Sequence, residues 1–550
     1  GPCMTSLSYD GPVTGEHRSA EARRPRRVSI PTALALLASA LVVPLAGPAA
    51  PARAAAPTDY TQFVNPFIGT SGDHGQDGPG AIAPYGLATV TPTTTNGNHV
   101  GYEYTSNTLL GFTNVALDGV GGGGGAGDVL VVPTYQTYTA RPTTSSYNKT
   151  IRTDANGKVE SGTAGYYQVG LTESGNAIDA QVTAATRTGV HDYAFGTAGH
   201  AALVVDLQHT GNGRKATDLR IGTSAAGNTT LSGSFTGYFY NSSYRLYYYA
   251  ETTVPTTSVQ TWGSAGLGTA TSQNGTDIGA VLNFAATAGQ HVGLRVTLSP
   301  VSVEQAKRDA AVEVGGRTFD QVRDATKAEW NARLGKVDVD ATATNAPTGD
   351  LKVQFYTHLY RLADTPMNAT STDGTYRGVD GRIYAAKGYT HYDSWSLWDD
   401  FHKYAAVASV YPDVYRDVVQ SLVDLYAEVA VSGKASVGGL LHSVPTVRWE
   451  RSPVVIADAV SKGVRLQGLE QAYPALVAQV GSAASLTNLD SRAGGLLGYS
   501  YDAYGLSVIA DAIGKASAAA TYRDQAARWA KAFDKDALVA NTNAMAATGV

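Results

Sequence analysis

The hydrophobic pattern of the 550-residue chain changes about halfway along. Before residue 300, apolar residues occupy every second position of 292–298, a continuous apolar run covers 201–205, and 244–249 also reads as a strand. A period of two is typical of half-buried strands, and a short apolar run is consistent with a buried strand. Many short strands separated by turn residues predict a β-sandwich domain over 57–300.

After residue 300 the period becomes helical. Residues 304–334 are charged and alanine-rich, and they predict a helical linker over 301–347. Beyond it, apolar residues recur at helical spacing, as at Val414, Val418, Leu422 and Leu425. Repeated amphipathic helices joined by loops favour an α/α toroid over 348–550, with a late helix expected across 504–533.

The first 56 residues predict an export signal. An arginine-rich stretch at 23–27 precedes an apolar run at 33–46 and small residues at 54–56. The run is too short for a membrane span, so we expect cleavage near Ala56 and a secreted protein. The residues before Met4 look like a cloning scar. They contain the single cysteine, Cys3, so no disulfide is expected in the mature chain.

Charge and glycine patterns exclude some functions. The net charge of -5 and the pI of about 6.1 argue against nucleic acid as a partner. Residues 119–124 satisfy a GxGxxG pattern, but no βαβ unit surrounds them, so a dinucleotide site is not credible. A flexible turn is the simpler interpretation, and a backbone that approaches a ligand is the alternative.

Three ordered blocks of residues carry a resemblance. The first contains NPFIGT, His-Gly, PGA and PYG; the second contains YRGVD, Tyr-Thr and SLWDDF; the third contains VIADA and Lys-Gly. They lie at 65–70, 74–75, 79–81, 84–86, 376–380, 389–390, 396–401, 455–459 and 462–463. In this order the blocks resemble glycoside hydrolase family 92, the calcium-dependent exo-α-mannosidases. Tyr85 stands where that family usually has phenylalanine.

The resemblance implies both an architecture and an activity. A β-sandwich would be followed by an (α/α)6 catalytic domain, with the active site between them. The protein would be an inverting α-mannosidase that releases terminal mannose from glycans, and Ca²⁺ would bind the 2- and 3-hydroxyls of that mannose. The family motifs for the catalytic acid, the base and most calcium ligands do not occur in the chain, and we expect them after Val550.

Several residues are predicted to bind the mannose by the same resemblance. Asp399, matched to the family aspartate of S-L-W-D, would accept hydrogen bonds from sugar hydroxyls, and Tyr85 and Gly86 would contact the same sugar. For Asp399 the alternative is an acid that stabilises a helix start. Asp400 is also placed among the substrate-binding residues, but it cannot form a catalytic pair with Asp399, because neighbours on a helix diverge by about 100°. Trp398 would stack on sugar or belong to the core.

Arg448 suggests a narrower substrate. It lies in a segment, 447–451, that differs from the corresponding segment of α-1,2-mannosidases, and an arginine suits phosphate oxygens. The segment 115–125 also departs from those relatives. These features favour the subgroup that removes mannose-1-phospho-6-mannose caps. An ion pair between Arg448 and Glu450 is the alternative.

A second class of function stays open. The sandwich alone could serve a non-catalytic carbohydrate-binding or adhesion protein. An acid and base pair beyond Val550 would favour the enzyme.

Overall fold

The computed structural model describes residues 58–72, 77–95, 100–119, 125–239, 242–340, 350–434, 436–481, 493–534 and 539–540. Residues from Thr58 onward cluster as one compact unit. The predicted export signal at 1–56 and residues 120–124 of the glycine-rich segment lie outside the described residues.

The N-terminal part is a large, mainly antiparallel β domain. It begins with a 3-10 turn at Tyr60–Phe63 and has a second at Thr144–Ser146. Its strands are β1 Ala81–Ile82, β2 Thr89–Thr94, β3 Thr108–Thr113, β4 Val115–Ala116, β5 Ala126–Asp128, β6 Leu130–Thr134, β7 Lys149–Ile151, β8 Thr153–Asp154, β9 Gly157–Lys158, β10 Glu160–Thr163, β11 Tyr166–Glu173, β12 Asn176–Ala184, β13 Thr188–Phe195, β14 Gly199–Asp206, β15 Gly213–Thr223, β16 Thr229–Phe239, β17 Ser242–Thr252, β18 Ser258–Gly263, β19 Gly266–Gly268, β20 Ser272–Gly275, β21 Gly279–Ala286 and β22 Gln290–Ser299.

The strands predicted from apolar periodicity are confirmed. They correspond to β14, β17 and β22. Along β17 every second side chain is buried, so Tyr244, Leu246 and Tyr248 enter the core. Tyr248 lies opposite Leu298 of β22 in the antiparallel register. The sandwich arrangement of the strands stays a prediction.

Two helices, α1 Val303–Glu313 and α2 Phe319–Leu334, follow the sheet. The Ser302 hydroxyl accepts from the Gln305 N–H at 3.0 Å at the start of α1. Thr318 and Gln321 form a reciprocal capping box at the start of α2. The predicted helical linker therefore contains two separately capped helices rather than one.

The C-terminal part is α-helical. Its helices are α3 Asp350–Arg361, α4 Leu397–Asp400, α5 Lys403–Val410, α6 Pro412–Ser432, α7 Ser452–Ser461, α8 Leu469–Gly481, α9 Ala493–Ala512 and α10 Ala516–Ala526, with a 3-10 turn at Ala527–Ala532. Short strands lie between them: β23 Met367–Asn368, β24 Thr375–Arg377, β25 Ile383–Ala385, β26 Tyr392–Asp393, β27 Leu441–His442, β28 Phe533–Asp534 and β29 Val539–Ala540.

The apolar spacing from Val414 onward is confirmed by α6, where Val418, Leu422 and Leu425 are buried. The helix expected across 504–533 was wrong in its bounds. Gly514 adopts φ +74°, which favours glycine and separates α9 from α10. None of the described helices is both long and apolar enough to cross a bilayer. The toroid stays a prediction.

Backbone bonds and the Arg377 side chain help to join the two parts. Strand β27 pairs in parallel with β17, placing Leu441 opposite Ser243. The buried Arg377 guanidinium donates to the carbonyls of Pro300 at 2.8 Å, Arg245 at 2.9 Å and His442 at 3.2 Å. The helical part thus shares a sheet and a buried cation with the β domain.

Candidate active site

One turn of the β domain reaches the helical part through its backbone. The Tyr85 N–H donates to the Ala363 carbonyl at 3.0 Å, and the Tyr85 carbonyl accepts from the Asn368 N–H at 2.8 Å. The Gly86 N–H closes the turn on the Ala83 carbonyl at 2.8 Å. A Cβ on Gly86 would come within 3.1 Å of that oxygen, so a larger residue would crowd the turn.

The Tyr85 ring packs inward and is 3% exposed. Its hydroxyl accepts from Arg333 at 2.8 Å, and the Arg333 guanidinium lies between the rings of Tyr85 and Tyr411, 4.4 and 3.7 Å from their centres. Burial raises the pKa of Tyr85 to about 12. In this arrangement the ring supports the interface, and its contact with a sugar stays a prediction.

A short pairing positions the start of α4. The Leu397 N–H donates to the Arg448 carbonyl at 3.1 Å, and the Val447 N–H donates to the Trp395 carbonyl at 3.0 Å. The Trp395 N–H donates to the Thr446 hydroxyl at 2.8 Å. The S-L-W-D-D residues and Arg448, distant in sequence, are therefore neighbours.

The Tyr85 turn approaches α4 through two strands. Asn368, which bonds to Tyr85, lies opposite Tyr392 in the antiparallel pair of β23 and β26. Strand β26 leads directly into α4. The side chain of Asp399 lies outside the described part of the structure, so the convergence of its carboxylate with Gly86 stays a prediction.

Asp400 has partners within its own domain. Its Oδ2 accepts from the Thr365 hydroxyl at 2.6 Å and from the Lys403 ammonium at 2.8 Å. The Asp400 and Lys403 side chains are only 17% and 13% exposed. These bonds hold α4 against the end of α3, an anchoring contact that the sequence did not indicate.

Trp398 and Arg448 form an open, polar face of the site. The Trp398 ring is 49% exposed, and the Arg448 guanidinium lies 5.0 Å from its centre. Arg448 also pairs with Glu450 at 2.7 Å, which confirms the alternative interpretation of that arginine. The core role for Trp398 was wrong, because α4 directs its ring outward.

Arg451 approaches the same tryptophan from the next turn of chain. Its guanidinium lies 5.7 Å from the Trp398 ring centre and pairs at 2.5 Å with Asp502 of α9, whose side chain is 13% exposed. Burial raises the pKa of Asp502 to about 6, although Arg451 opposes that shift and Glu450 adds to it. Two arginines therefore flank one exposed indole.

A charge cluster with little exposure to solvent lies at the end of α3. Arg361 pairs with Asp364 at 3.2 Å and lies 3.9 Å from Asp77. Burial raises the pKa of Asp364 to about 7 and that of Asp118 well above its usual range. Asp364 also interacts electrostatically with Lys403, which links the cluster to the anchored Asp400.

Backbone strain is concentrated near these residues. Tyr85, Ser394 and Arg451 adopt φ of +55°, +81° and +80°, three of the six described positive-φ residues that are not glycine. Such conformations are costly for side-chain-bearing residues and are found preferentially at functional sites. The strain marks this region independently of any sequence motif.

The expected calcium ligands are not found among these residues. Within the described ranges, no group of three or more His, Cys, Asp or Glu side chains lies where it could hold a metal ion. The calcium site stays a prediction.

Two protein-family models match this chain. Residues 63–299 match the N-terminal domain of glycosyl hydrolase family 92, and residues 305–548 match the catalytic domain of that family. The chain belongs to glycoside hydrolase family 92. Comparison with curated proteins found no match.

Solved structures of proteins from the same family are similar to this chain. The GH92 family glycosyl hydrolase CcMan5 is 50% identical, covers 85% of this chain and superposes with a TM-score of 0.81. A family GH92 α-mannosidase from Bacteroides thetaiotaomicron is 24% identical with a TM-score of 0.73, and an inverting mannosidase from that organism is 20% identical with a TM-score of 0.70; each covers 87% of this chain. The last two show the shared fold. The chain spans 63% of CcMan5 and 66% of each Bacteroides structure.

Proposed function

We propose that this protein is an exo-acting, inverting α-mannosidase that releases terminal mannose from glycans. The observation that carries the proposal is the backbone pairing of the start of α4 with Arg448 inside the matched catalytic region, to which the Tyr85 turn of the β domain is bonded through Ala363 and Asn368. We extend the proposal to the (α/α)6 toroid, to calcium dependence with ligands outside the described residues, and to export from the cell.

We propose different roles for the two neighbouring aspartates of α4: one orients the helix and the other binds the sugar. Asp400 is held by Lys403 and Thr365, so it fixes the orientation of α4. Asp399 precedes it on the same helix. The family resemblance assigns Asp399 as the carboxylate that accepts hydrogen bonds from the sugar, and the exposed Trp398 offers a flat apolar surface to the sugar ring.

Inversion requires two carboxyl groups on opposite sides of the glycosidic bond, about 6.5–9.5 Å apart, with room for water. Adjacent residues of one helix do not satisfy that geometry. Asp399 therefore serves as a binding group, and the proposal assigns no acid or base among the described residues. Proton NMR during hydrolysis of 4-nitrophenyl α-mannoside by the full-length enzyme tests the proposal, and β-mannose should be the first product. Release of α-mannose, or no hydrolysis of any mannoside, contradicts it.

Replacing Asp399 with asparagine should lower kcat/KM and leave the melting temperature unchanged. Losing a charged hydrogen bond to substrate costs about 1.5–3 kcal/mol, or roughly 10- to 150-fold in rate. Asp400→Asn is the matched control: it should lower the melting temperature, because Lys403 loses its partner. If Asp399→Asn destabilises the protein as Asp400→Asn does, Asp399 is structural.

We further propose that Arg448 favours a phosphorylated leaving group, as in mannose-1-phospho-6-mannose. Its guanidinium is about a third exposed beside Trp398, and Arg451 adds positive charge nearby. A planar cation suits phosphate oxygens, whereas a neutral second mannose gains little from it.

Arg448→Ala should reduce kcat/KM on mannose-1-phospho-6-mannose by roughly 10- to 100-fold more than on α-1,2-mannobiose, because a charge-assisted hydrogen bond is lost. Glu450→Gln is the complementary variant. It removes the carboxylate that pairs with Arg448 at 2.7 Å and should raise use of the phosphodiester. Equal losses on both substrates after Arg448→Ala would exclude the phosphate role.

A further inference from the structure

A polar cleft of about 510 Å³ lies on the β domain, apart from every residue of the candidate active site. Its floor is the outer face of β11, β12 and β13, and the β8–β9 hairpin forms one wall. This volume is within the range of about 300–1,000 Å³ that is usual for small-molecule sites.

The cleft wall is a ladder of hydrogen-bonded side chains across adjacent strands. Gln168 donates to the Ser161 hydroxyl at 2.9 Å, and Gln181 donates to the Asp192 carboxylate at 2.8 Å. His291 contacts the same carboxylate at 2.6 Å. Mutual bonding holds the amides and carboxylate in fixed orientations, so they are pre-organised for a polar ligand.

The adjacent row of residues combines accessible polar side chains with one small open position, Ala194. Gly170, Asp179, Ala194 and His291 lie side by side on successive strands. The Arg152 guanidinium lies over Gly170, where a Cβ would come within 2.5 Å of it. Asp179 and His291 are 65% and 60% exposed, so their polar atoms are accessible from the cleft.

The charges around the cleft and the backbone pairing of its floor disfavour two classes of ligand. Four carboxylates (Asp154, Glu160, Asp179 and Asp192) surround or support the cleft, against the two cations Lys158 and Arg152. That excess of negative charge disfavours phosphorylated ligands. The floor strands bond their N–H and C=O groups to each other, so a peptide could not add to them as a strand.

We propose that this cleft is a second carbohydrate site that binds neutral, hydroxyl-rich oligosaccharides. Amides and carboxylates in fixed positions match vicinal sugar hydroxyls, and the small side chain of Ala194 leaves room for the C–H face of a sugar ring. Such a site would hold a glycan chain on the β domain while its end is processed elsewhere. The choice of a mannan probe rests on the proposed function, but binding itself requires no hydrolysis.

The test is affinity electrophoresis of the full chain in gels containing unphosphorylated α-mannan. Retardation is expected, and Ala194→Tyr should weaken it at least tenfold, because Ala194 faces the cleft and tyrosine is well tolerated in strands. Thr172→Tyr is the matched control, on the same face of β11 but outside the cleft, and should bind as the parent does.

Two further measurements distinguish binding at this cleft from binding at the candidate active site. Asp399→Asn should retain mannan binding, and phosphorylated mannan should bind more weakly than neutral mannan. The proposal is overturned if neutral mannan, dextran and xylan all fail to retard the protein, if Ala194→Tyr binds normally, or if phosphorylated mannan binds as well. Mannoside hydrolysis without gel retardation would contradict only this second site.

Discussion

Replacing Glu428 with glutamine should stabilise the protein at pH 8 and above, and should change its stability little at pH 5. Glu428 is 6% exposed on α6 and accepts from the Val379 N–H at 3.0 Å. Burial raises its pKa to about 8, to which Asp424, Asp380 and Asp393 add by repulsion. The neutral acid is therefore the form that the folded protein prefers.

The direction of the pH dependence follows from that shift. Between about pH 4.5 and pH 8 the unfolded chain releases the Glu428 proton while the folded chain retains it, so the parent protein loses stability as pH rises. At 1.36 kcal/mol per pKa unit, the full shift lowers the free energy of unfolding of the parent protein by at most about 5 kcal/mol. Glutamine does not titrate. The difference in free energy of unfolding between Glu428→Gln and the parent protein should therefore increase up to pH 8 and then remain constant.

Urea unfolding of the two proteins at intervals from pH 5 to pH 9 measures the difference. Glu470→Gln, at an exposed position of α8, is the matched control and should show no such trend. An advantage of Glu428→Gln that is equal at every pH would show that the carboxyl is charged throughout. The result matters for the site, because Glu428 holds the β24–β25 hairpin of the Y-R-G motif on α6.

Replacing Trp330 with alanine should cost about 3–5 kcal/mol of folding stability, the usual range for a buried tryptophan. The indole is fully buried on α2, and its N–H donates to the Ile82 carbonyl at 2.7 Å. Its ring lies 4.4 Å from that of Tyr360 on α3. One side chain therefore joins the β domain, the linker helix and the helical domain.

Thermal unfolding provides the measurement. Trp330→Phe should recover part of the loss, because it restores the ring but leaves the Ile82 carbonyl without its donor. Trp529→Ala removes an indole that is 52% exposed and should change the melting temperature little. Similar losses for Trp330→Ala and Trp529→Ala would show that Trp330 does not join the domains.

The sequence predicts those features that depend on local periodicity. Alternation identified β17 and β22, and helical spacing identified α6, because in each case one face of the element is buried. Motif order then indicated α4 and Arg448. The break between α9 and α10 was missed although Gly514 signals it, since the apolar pattern continues past that glycine.

The buried ionic groups of the site could not be predicted in the same way. Arg361 and Asp364 are three residues apart, a spacing that is also common on exposed helix faces. Only the folded chain brings Asp77 and Asp118 to them. Asp502 and Arg451 are 51 positions apart in the sequence, so neither residue alone indicates their pairing.

The pairing of β27 with β17 limits how the β domain could be reused. A polypeptide that ended near Pro300 would lose β27 and expose the edge of β17 at Ser243 and Tyr244. It would also lose the Arg377 guanidinium that satisfies the Pro300 and Arg245 carbonyls. Unpaired strand edges promote self-association, so the isolated domain should aggregate. The β domain is therefore not a portable module, and a fusion that transfers it to another protein must carry residues 377 and 441–442 with it.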